Sequence, residues 1–149
     1  DASDFALVEA YLGLGMLLGT TMVYGIGGRV THGLLFLLGL FIDGASFCLY
    51  YFVESMEQLN FFSILHGVGI PFLIISRVSI MQKHIPEKML GRIFAIISIS
   101  ILSMTAVSSG MIGVMAEFFA IKTIFLIFGI LAGACGIAGL IHPKIKYLN

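Results

Sequence analysis

The chain has 149 residues, of which 59% are hydrophobic and only 11% are charged, with eight basic and eight acidic side chains. A typical soluble domain has about 25% charged residues, so these side chains are too few to cover a water-facing surface. Binding to nucleic acid requires an excess of basic residues, and the net charge here is zero. The composition therefore excludes a soluble globular protein, a disordered chain and a nucleic-acid binder. It indicates an integral membrane protein.

Five segments are long and apolar enough to cross a bilayer as helices, since about 20 residues span the ~30 Å hydrocarbon core. None of them alternates apolar and polar residues, as the strands of a membrane barrel do. Short breaks rich in glycine, proline or charge separate them. The sequence therefore predicts an all-α membrane protein. Its single membrane domain covers residues 1–149, with spans at about 5–27, 33–53, 59–81, 93–116 and 121–141.

The distribution of charge predicts how the helices are oriented. With five spans, seven of the eight basic residues lie on or close to one side, and only Lys122 lies on the other. Cytoplasmic loops carry the excess of Lys and Arg. We therefore expect a cell membrane (plasma or inner) with the N-terminus of this chain outside and its C-terminus in the cytoplasm. The chain begins at Asp1 without a methionine, and we expect a further helix to precede it.

A charged residue, Asp43, lies near the middle of the second predicted span. A charge at the centre of a bilayer costs at least ~2.5–3.5 kcal/mol, so such a residue faces the interior of a helix bundle or a water-filled cavity. Its helical neighbours are small or polar: Gly39, Ser46 and Tyr50. Asp43 is therefore a candidate proton carrier or a contact for a cationic substrate. The alternative is a buried carboxyl group that is hydrogen-bonded to a neighbouring helix.

The third predicted span carries two further candidates, His66 and Arg77. At 3.6 residues per turn, their spacing places them only about 20° apart on one helix face. Histidine changes charge near neutral pH, so His66 is a candidate for a proton pathway, with a hydrogen-bonded packing residue as the alternative. Arg77 lies near the cytoplasmic end of the span. There the alternative to a functional role is a side chain that reaches the lipid headgroups.

Pro71 lies in the middle of the third span and removes a backbone hydrogen bond, which predicts a helix kink. Kinked helices often line transport pathways, although a kink also serves packing alone. On the fourth predicted span, Ser98, Thr105 and Ser109 share one face. These hydroxyl groups either line a polar cavity or join helices through hydrogen bonds.

Motifs for a nucleotide, a metal or a covalent intermediate do not occur in the sequence. It contains no phosphate-binding loop, no CxxC pair and no histidine cluster with metal-ligand spacing. We therefore expect no catalytic, metal-binding or cofactor-binding residue, and no enzyme. An intramembrane enzyme would need a nucleophile and a base at one depth, and only Asp43 and His66, on different helices, come near this.

The third span and the loop after it contain a pattern of spaced residues: Gly67, Gly69, Pro71, Gln82, Pro86, Gly91 and Arg92. This pattern resembles a signature of the major facilitator superfamily, closest to its macrolide and siderophore exporter-like branch. The resemblance covers essentially the whole chain and implies that the spans correspond to the eighth to twelfth helices of a twelve-helix transporter. It places Gln82, Pro86, Gly91 and Arg92 on a cytoplasmic loop. The loop after the first span lacks the Asp of the superfamily's Gly-x-x-x-Asp-Arg motif.

The resemblance implies a secondary active transporter, of which this chain is a fragment of the C-terminal half. The implied activity is proton-coupled efflux of amphipathic small molecules such as drugs, by an antiporter of the multidrug type. The implied partners are the lipid bilayer, the small-molecule substrate, and the missing N-terminal half or another membrane chain, because alternating access needs two halves. The alternative function is a membrane assembly or structural subunit without transport activity of its own.

Overall fold

The computed structural model describes residues 2–148, apart from the side chains of residues 2 and 143. Within that range the chain is helical and contains no strand. The helices are α1 (Ala2–Ile26), α2 (His32–Tyr50), α3 (Met56–His84), α4 (Glu87–Phe118), α5 (Ile121–Ile141) and the short α6 (Pro143–Lys146). The first five are long and apolar enough to cross a membrane, which confirms the predicted all-α fold with five spanning helices.

The start of each helix has a local cause. The side chains of Thr31 and Ser55 accept hydrogen bonds from backbone N–H groups in the first turns of α2 and α3. Helix α4 begins directly after Pro86, well before the predicted residue 93. A proline suits a helix start because the first turn has no use for its missing N–H, and Glu87 then stabilises that turn electrostatically. The loop between α3 and α4 is correspondingly short.

Helices α1 and α3 are in backbone contact. A Cβ atom at Gly15 would overlap the carbonyl oxygen of Ile64, and one at Gly67 would overlap the carbonyl oxygen of Leu12. Helices in a membrane associate through close packing, because the lipid is as apolar as the side chains it would replace. Glycine at both positions therefore allows the two helices to approach. Gly15 and Gly19 also have the four-residue spacing of small residues that is typical of such contacts.

Helix α2 lies between α3 and α5. Glycines allow close backbone contact on both of these sides as well. A Cβ at Gly69 of α3 would press against the backbone nitrogen of Asp43. On the other side, a Cβ at Gly44 would overlap the backbone of Gly129 and Gly133. The order of packing is therefore α1, α3, α2, α5, with the α2–α3 contact at its centre.

Helix α4 stands apart from this row. All of its residues are described, and none of them is buried. Its few contacts are chiefly with α3 and α5. Large apolar side chains such as Ile99 and Leu102 are therefore exposed along it. In a bilayer such surfaces meet lipid or another spanning helix.

The C-terminal segment folds back onto the start of α2. The hydroxyl group of Thr31 donates to the carbonyl oxygen of Lys146, and the N–H of Gly33 donates to that of Leu148 at 2.8 Å. The same Thr31 oxygen accepts from the N–H of Leu34 at 3.3 Å. One side chain thus caps a spanning helix and holds the end of the chain against it.

Replacing Thr31 by alanine is expected to lower the free energy of unfolding by about 1 kcal/mol, the usual effect of losing an N-cap. It also removes the bond to Lys146, so limited proteolysis should cut the C-terminal segment faster. Thr20→Ala is the matched control, because the Thr20 hydroxyl bonds only to Met16 of its own helix among the contacts described. Equal proteolysis of the two variants would contradict the prediction.

Candidate functional site

The centre of the bundle holds an acid–histidine pair between two spanning helices, which is an ion pair when His66 is protonated. The Oδ1 atom of Asp43 on α2 lies 3.0 Å from the Nδ1 atom of His66 on α3. The two side chains are 19% and 18% exposed, respectively. The close approach of α2 and α3 at Gly69 brings these residues within bonding distance. Two candidates that the sequence singled out separately therefore belong to one site.

Ser46 completes the pair and determines which histidine nitrogen carries a hydrogen. The Ser46 hydroxyl donates to the carbonyl oxygen of Asp43 at 2.7 Å, and its oxygen lies 3.1 Å from His66 Nδ1. With its own hydrogen so used, Ser46 Oγ accepts from the histidine. Because Asp43 Oδ1 is also an acceptor when ionised, Nδ1 carries the hydrogen that both oxygens share.

A second polar contact lies one helical turn away. The Tyr50 hydroxyl on α2 lies 3.4 Å from Ser63 Oγ on α3, and Ser63 donates to the carbonyl oxygen of Leu59 at 2.8 Å. Since the Ser63 hydrogen is engaged, the tyrosine is the donor of the longer bond. Ser46 and Tyr50, which share a helix face with Asp43 on α2, thus face His66 and Ser63 on α3.

Aromatic rings cover this polar group on the side of α5. Phe47 contacts the His66 ring edge-on, with ring centroids 4.9 Å apart. It also stacks on Phe125 of α5 at 5.6 Å and an interplanar angle of 24°. Tyr50 approaches the same Phe125 ring at 5.4 Å. The rings join α2 to α5 and reduce the contact of the ion pair with its surroundings.

Two cavities adjoin the pair. The first, of about 340 Å³, lies between α2, α4 and α5, and Asp43 and Ser108 are its polar side chains. The second, of about 470 Å³, lies between α1, α2, α3 and α5, and His66 lines it together with Glu9 and Lys122. Each is large enough for a small organic molecule, since ligand sites range from about 300 to 1,000 Å³. The carboxylate therefore faces one cavity and the imidazole the other.

Arg77 does not join this site. It lies about three turns further along α3. There it lines an apolar cavity with Phe36 of α2 and with Ile145 and Leu148 of the C-terminal segment. Pro71 is buried within α3, which continues through it from Met56 to His84. The kink expected at Pro71 stays a prediction.

The hydroxyl groups predicted for a pathway on α4 do not reach the pair either. Ser98, Thr105 and Ser109 are exposed. Thr105 donates to the carbonyl oxygen of Ile101 in its own helix at 2.9 Å, so its hydroxyl is satisfied without a partner helix. The hydroxyl that lines the Asp43 cavity is that of Ser108, a neighbour of the predicted set.

The four residues predicted on one loop are distributed over three elements. Gln82 lies on α3, Pro86 lies between the helices, and Gly91 and Arg92 lie in the early turns of α4. The reasons are that α3 continues to His84, beyond its predicted end at residue 81, and that α4 starts directly after Pro86. All four residues are exposed, so they can face lipid headgroups or a partner.

Sequence reasoning missed Phe47, Phe125 and Ser108. Phe47 lies one turn from Asp43 on α2, and that spacing alone places it beside the carboxylate. No comparable signal exists for Phe125 or Ser108. The sequence does not distinguish a phenylalanine or a serine that faces lipid from one that faces a cavity. The packing of α5 against α2, and of α4 against α5, decides this.

Within residues 2–148, no group of three His, Cys, Asp or Glu side chains lies close enough together to hold a metal ion. No protein-family model matches the sequence, and neither a search of curated proteins nor one of solved structures finds a match. The fold fits a multi-pass membrane protein with an intramembrane acid–histidine pair between two cavities.

Proposed function

We propose that this chain is part of a secondary active transporter that moves amphipathic small molecules out of the cell in exchange for protons. The observation that carries the proposal is the Asp43–His66 pair, with 3.0 Å between Oδ1 and Nδ1, inside two membrane-spanning helices. Ionisable residues within a membrane are costly, and they mark proton relays and substrate pathways. The resemblance of the loop around Pro86 to the major facilitator superfamily supports the same class.

Within the pair, a proton can pass from His66 to Asp43 without a change of net charge. When His66 is protonated, breaking its Nδ1–H bond and forming an O–H bond on Asp43 converts an imidazolium and a carboxylate into two neutral groups. Both states have zero net charge, so either is tolerated in an apolar environment. A transporter needs such a pair of states to couple proton movement to a change of conformation.

The first cavity suits the apolar part of a substrate. Its walls include three phenylalanine rings and several aliphatic side chains, and Asp43 is its ionisable residue. An amphipathic molecule can bury its apolar surface there and place a polar or positive group against the carboxylate. Substrate and proton would then compete for Asp43, which is the requirement for exchange.

The exposure of α4 supports a partner for this chain. A Cβ at Gly110 or Gly113 would meet open space within the described part of the chain, in contrast to the glycines at the α1–α3 and α2–α5 contacts. An additional helix could approach there as closely as α1 approaches α3. We assign this face to the other half of the transporter or to another membrane chain.

The charges favour one orientation. The structure brings the turn before α2 and the C-terminal segment together, and Arg29, Lys144 and Lys146 belong to these segments. At the opposite end, Lys122 donates to the carbonyl oxygen of Val53. By the positive-inside rule the first end is cytoplasmic, so the N-terminus of α1 faces outside.

The experiment is transport by the full-length protein in vesicles with an imposed pH gradient, using rhodamine 6G as the amphipathic probe. We expect gradient-driven dye movement that is lost in Asp43→Asn, because an amide cannot exchange a proton. Glu57→Gln is the matched control, since Glu57 lies exposed at the start of α3. Unchanged gradient-driven transport in Asp43→Asn would remove the residue from coupling.

A second candidate function is that of a membrane assembly subunit without transport activity, and the unburied α4 favours it as well. The same vesicles discriminate the two. If the wild-type protein moves no dye under either direction of the pH gradient but purifies with another membrane chain bound through α4, the subunit replaces the transporter as the better conclusion.

A further inference from the structure

The two cavities beside the ion pair have a common wall. Phe47, Ile121 and Phe125 line both of them. Phe47 and Phe125 are stacked across the α2–α5 interface, with centroids 5.6 Å apart. Beyond this wall, α4 bounds the first cavity, whereas α1 and α3 bound the second. The two spaces therefore lie on opposite sides of an aromatic stack.

The ion pair is the polar connection across this wall. Asp43 lines the first cavity and His66 the second, and 3.0 Å separates their nearest nitrogen and oxygen atoms. Phe47 packs edge-on against the His66 ring at 4.9 Å and so lies directly beside the pair. A proton that crosses from one cavity to the other by way of side chains passes through these two groups.

We propose that Phe47 and Phe125 form an apolar partition that keeps water in the two cavities from joining, so that protons cross only by transfer between His66 and Asp43. The proposal rests on the proposed role of the pair in proton movement. In one passage, a hydronium ion in the second cavity gives a proton to Nε2 of His66, whose Nδ1 already carries a hydrogen, and is left as water. The Nδ1–H bond of His66 then breaks as an O–H bond forms on Asp43, and Asp43 releases the proton to water in the first cavity.

The physical basis is dewetting. Hydrophobic constrictions exclude water and act as gates in membrane proteins. A continuous file of water would let protons pass at any time and would dissipate the gradient that drives transport. The pair, in contrast, transfers a proton only when His66 is protonated and Asp43 is ionised. With the two rings in place, proton passage therefore depends on the protonation states of His66 and Asp43 and not on a continuous file of water.

Other ionisable groups face the same region and set the electrostatic field of the pair. Tyr50 of α2, Glu9 of α1 and Lys122 of α5 line the second cavity with His66. Glu9 and Lys122 are exposed and of opposite charge. Neither group lines the first cavity, where Asp43 is the ionisable residue. The proton therefore enters from the cavity that has several exchangeable groups and leaves toward one that has a single carboxylate.

The test measures proton leak in the absence of any substrate. The full-length protein is placed in vesicles that contain a pH-sensitive dye, and an acid pulse is applied outside with potassium and valinomycin to clamp the membrane potential. We expect slow acidification with the wild-type protein. Phe47→Ala should raise the rate by about tenfold or more, which corresponds to a barrier lower by ~1.4 kcal/mol. Phe125→Ala, on the other helix, should have the same effect.

Phe128→Ala is the matched control, because Phe128 lies on α5 and lines the first cavity but not the wall. It removes the same number of atoms, so its leak should stay at the wild-type rate. Equal leak in Phe47→Ala and Phe128→Ala would overturn the partition. Helix content and gel-filtration profile identify any variant that fails to fold, in which case the variant of the opposite ring decides.

A double variant separates this proposal from the proposed transport function. Phe47→Ala combined with Asp43→Asn should still leak, because water that replaces the ring needs no carboxylate. Loss of leak in the double variant would overturn the partition, since the proton would then pass through the pair whether or not the ring is present. If Asp43→Asn alone leaves dye transport coupled to protons while Phe47→Ala leaks, the transport role of Asp43 and the proton route through the pair both fail, and only the exclusion of water by the two rings stands.

Discussion

Replacing Gly15 by alanine is expected to push α1 away from α3 and to lower the free energy of unfolding by about 1–3 kcal/mol, the range for overpacking a tight interior. The added methyl group would overlap the carbonyl oxygen of Ile64, which belongs to the backbone and cannot rotate away. Gly67→Ala should have a similar effect from the other side, because its Cβ would overlap the carbonyl oxygen of Leu12. The two helices would have to separate in either variant.

Gly13 supplies the matched control on the same helix. A Cβ there would meet no atom within 4 Å among the described residues. Since alanine favours a helix interior over glycine by about 0.5–1 kcal/mol, Gly13→Ala should be neutral or slightly stabilising. Circular dichroism during titration with SDS in mixed micelles measures all three variants. Equal loss of stability in Gly13→Ala and Gly15→Ala would show that the α1–α3 contact is not the cause.

Replacing His66 by leucine is expected to destabilise the protein by roughly 3 kcal/mol, the usual effect of leaving one partner of a buried ion pair alone. Asp43 is about four-fifths buried and bonds to His66 in the folded protein. Without the histidine, the carboxylate has no basic partner within salt-bridge distance among the described residues. It must then remain charged without a partner or bind a proton, and both states are less stable than the pair.

Removing both partners should recover most of this loss. In Asp43→Asn/His66→Leu no charge remains within the bundle, and an amide is far less costly there than a carboxylate. His84→Leu is the control for histidine loss in general, because His84 lies exposed at the end of α3. SDS titration again gives the stabilities, and the two single changes and their double form a thermodynamic cycle. A double variant as unstable as His66→Leu would show that packing, not charge, is responsible.

Much of the fold follows from the sequence because membrane insertion depends on local composition. Hydropathy over about 20 residues and the thickness of the bilayer are enough to locate a spanning helix. The same reasoning singles out Asp43 and His66, because polar residues in lipid are costly wherever the helix lies. Small residues at four-residue spacing in the first span likewise predict the close contact at Gly15.

The helix boundaries are harder to predict from the sequence, because hydropathy measures contact with lipid and not helical hydrogen bonding. The predicted fourth span begins at residue 93, while α4 begins at Glu87. The polar residues between these positions continue the helix outside the apolar stretch. Gly91 and Arg92 therefore lie on a helix, although their composition is typical of a loop.

The sequence by itself determined the all-α membrane fold class and the number of helices long enough to span a bilayer, and it singled out Asp43 and His66 as candidates. Only the tertiary structure decided that Asp43 and His66 compensate each other, that Ser108 and not Ser109 lines the cavity, and that Phe47 and Phe125 stack beside the pair. The reason is that hydropathy is a property of single residues, whereas pairing depends on the register and rotation of helices. The register and rotation of the helices are set by backbone contacts at glycines such as Gly44 and Gly69, which lie between helices distant in the chain.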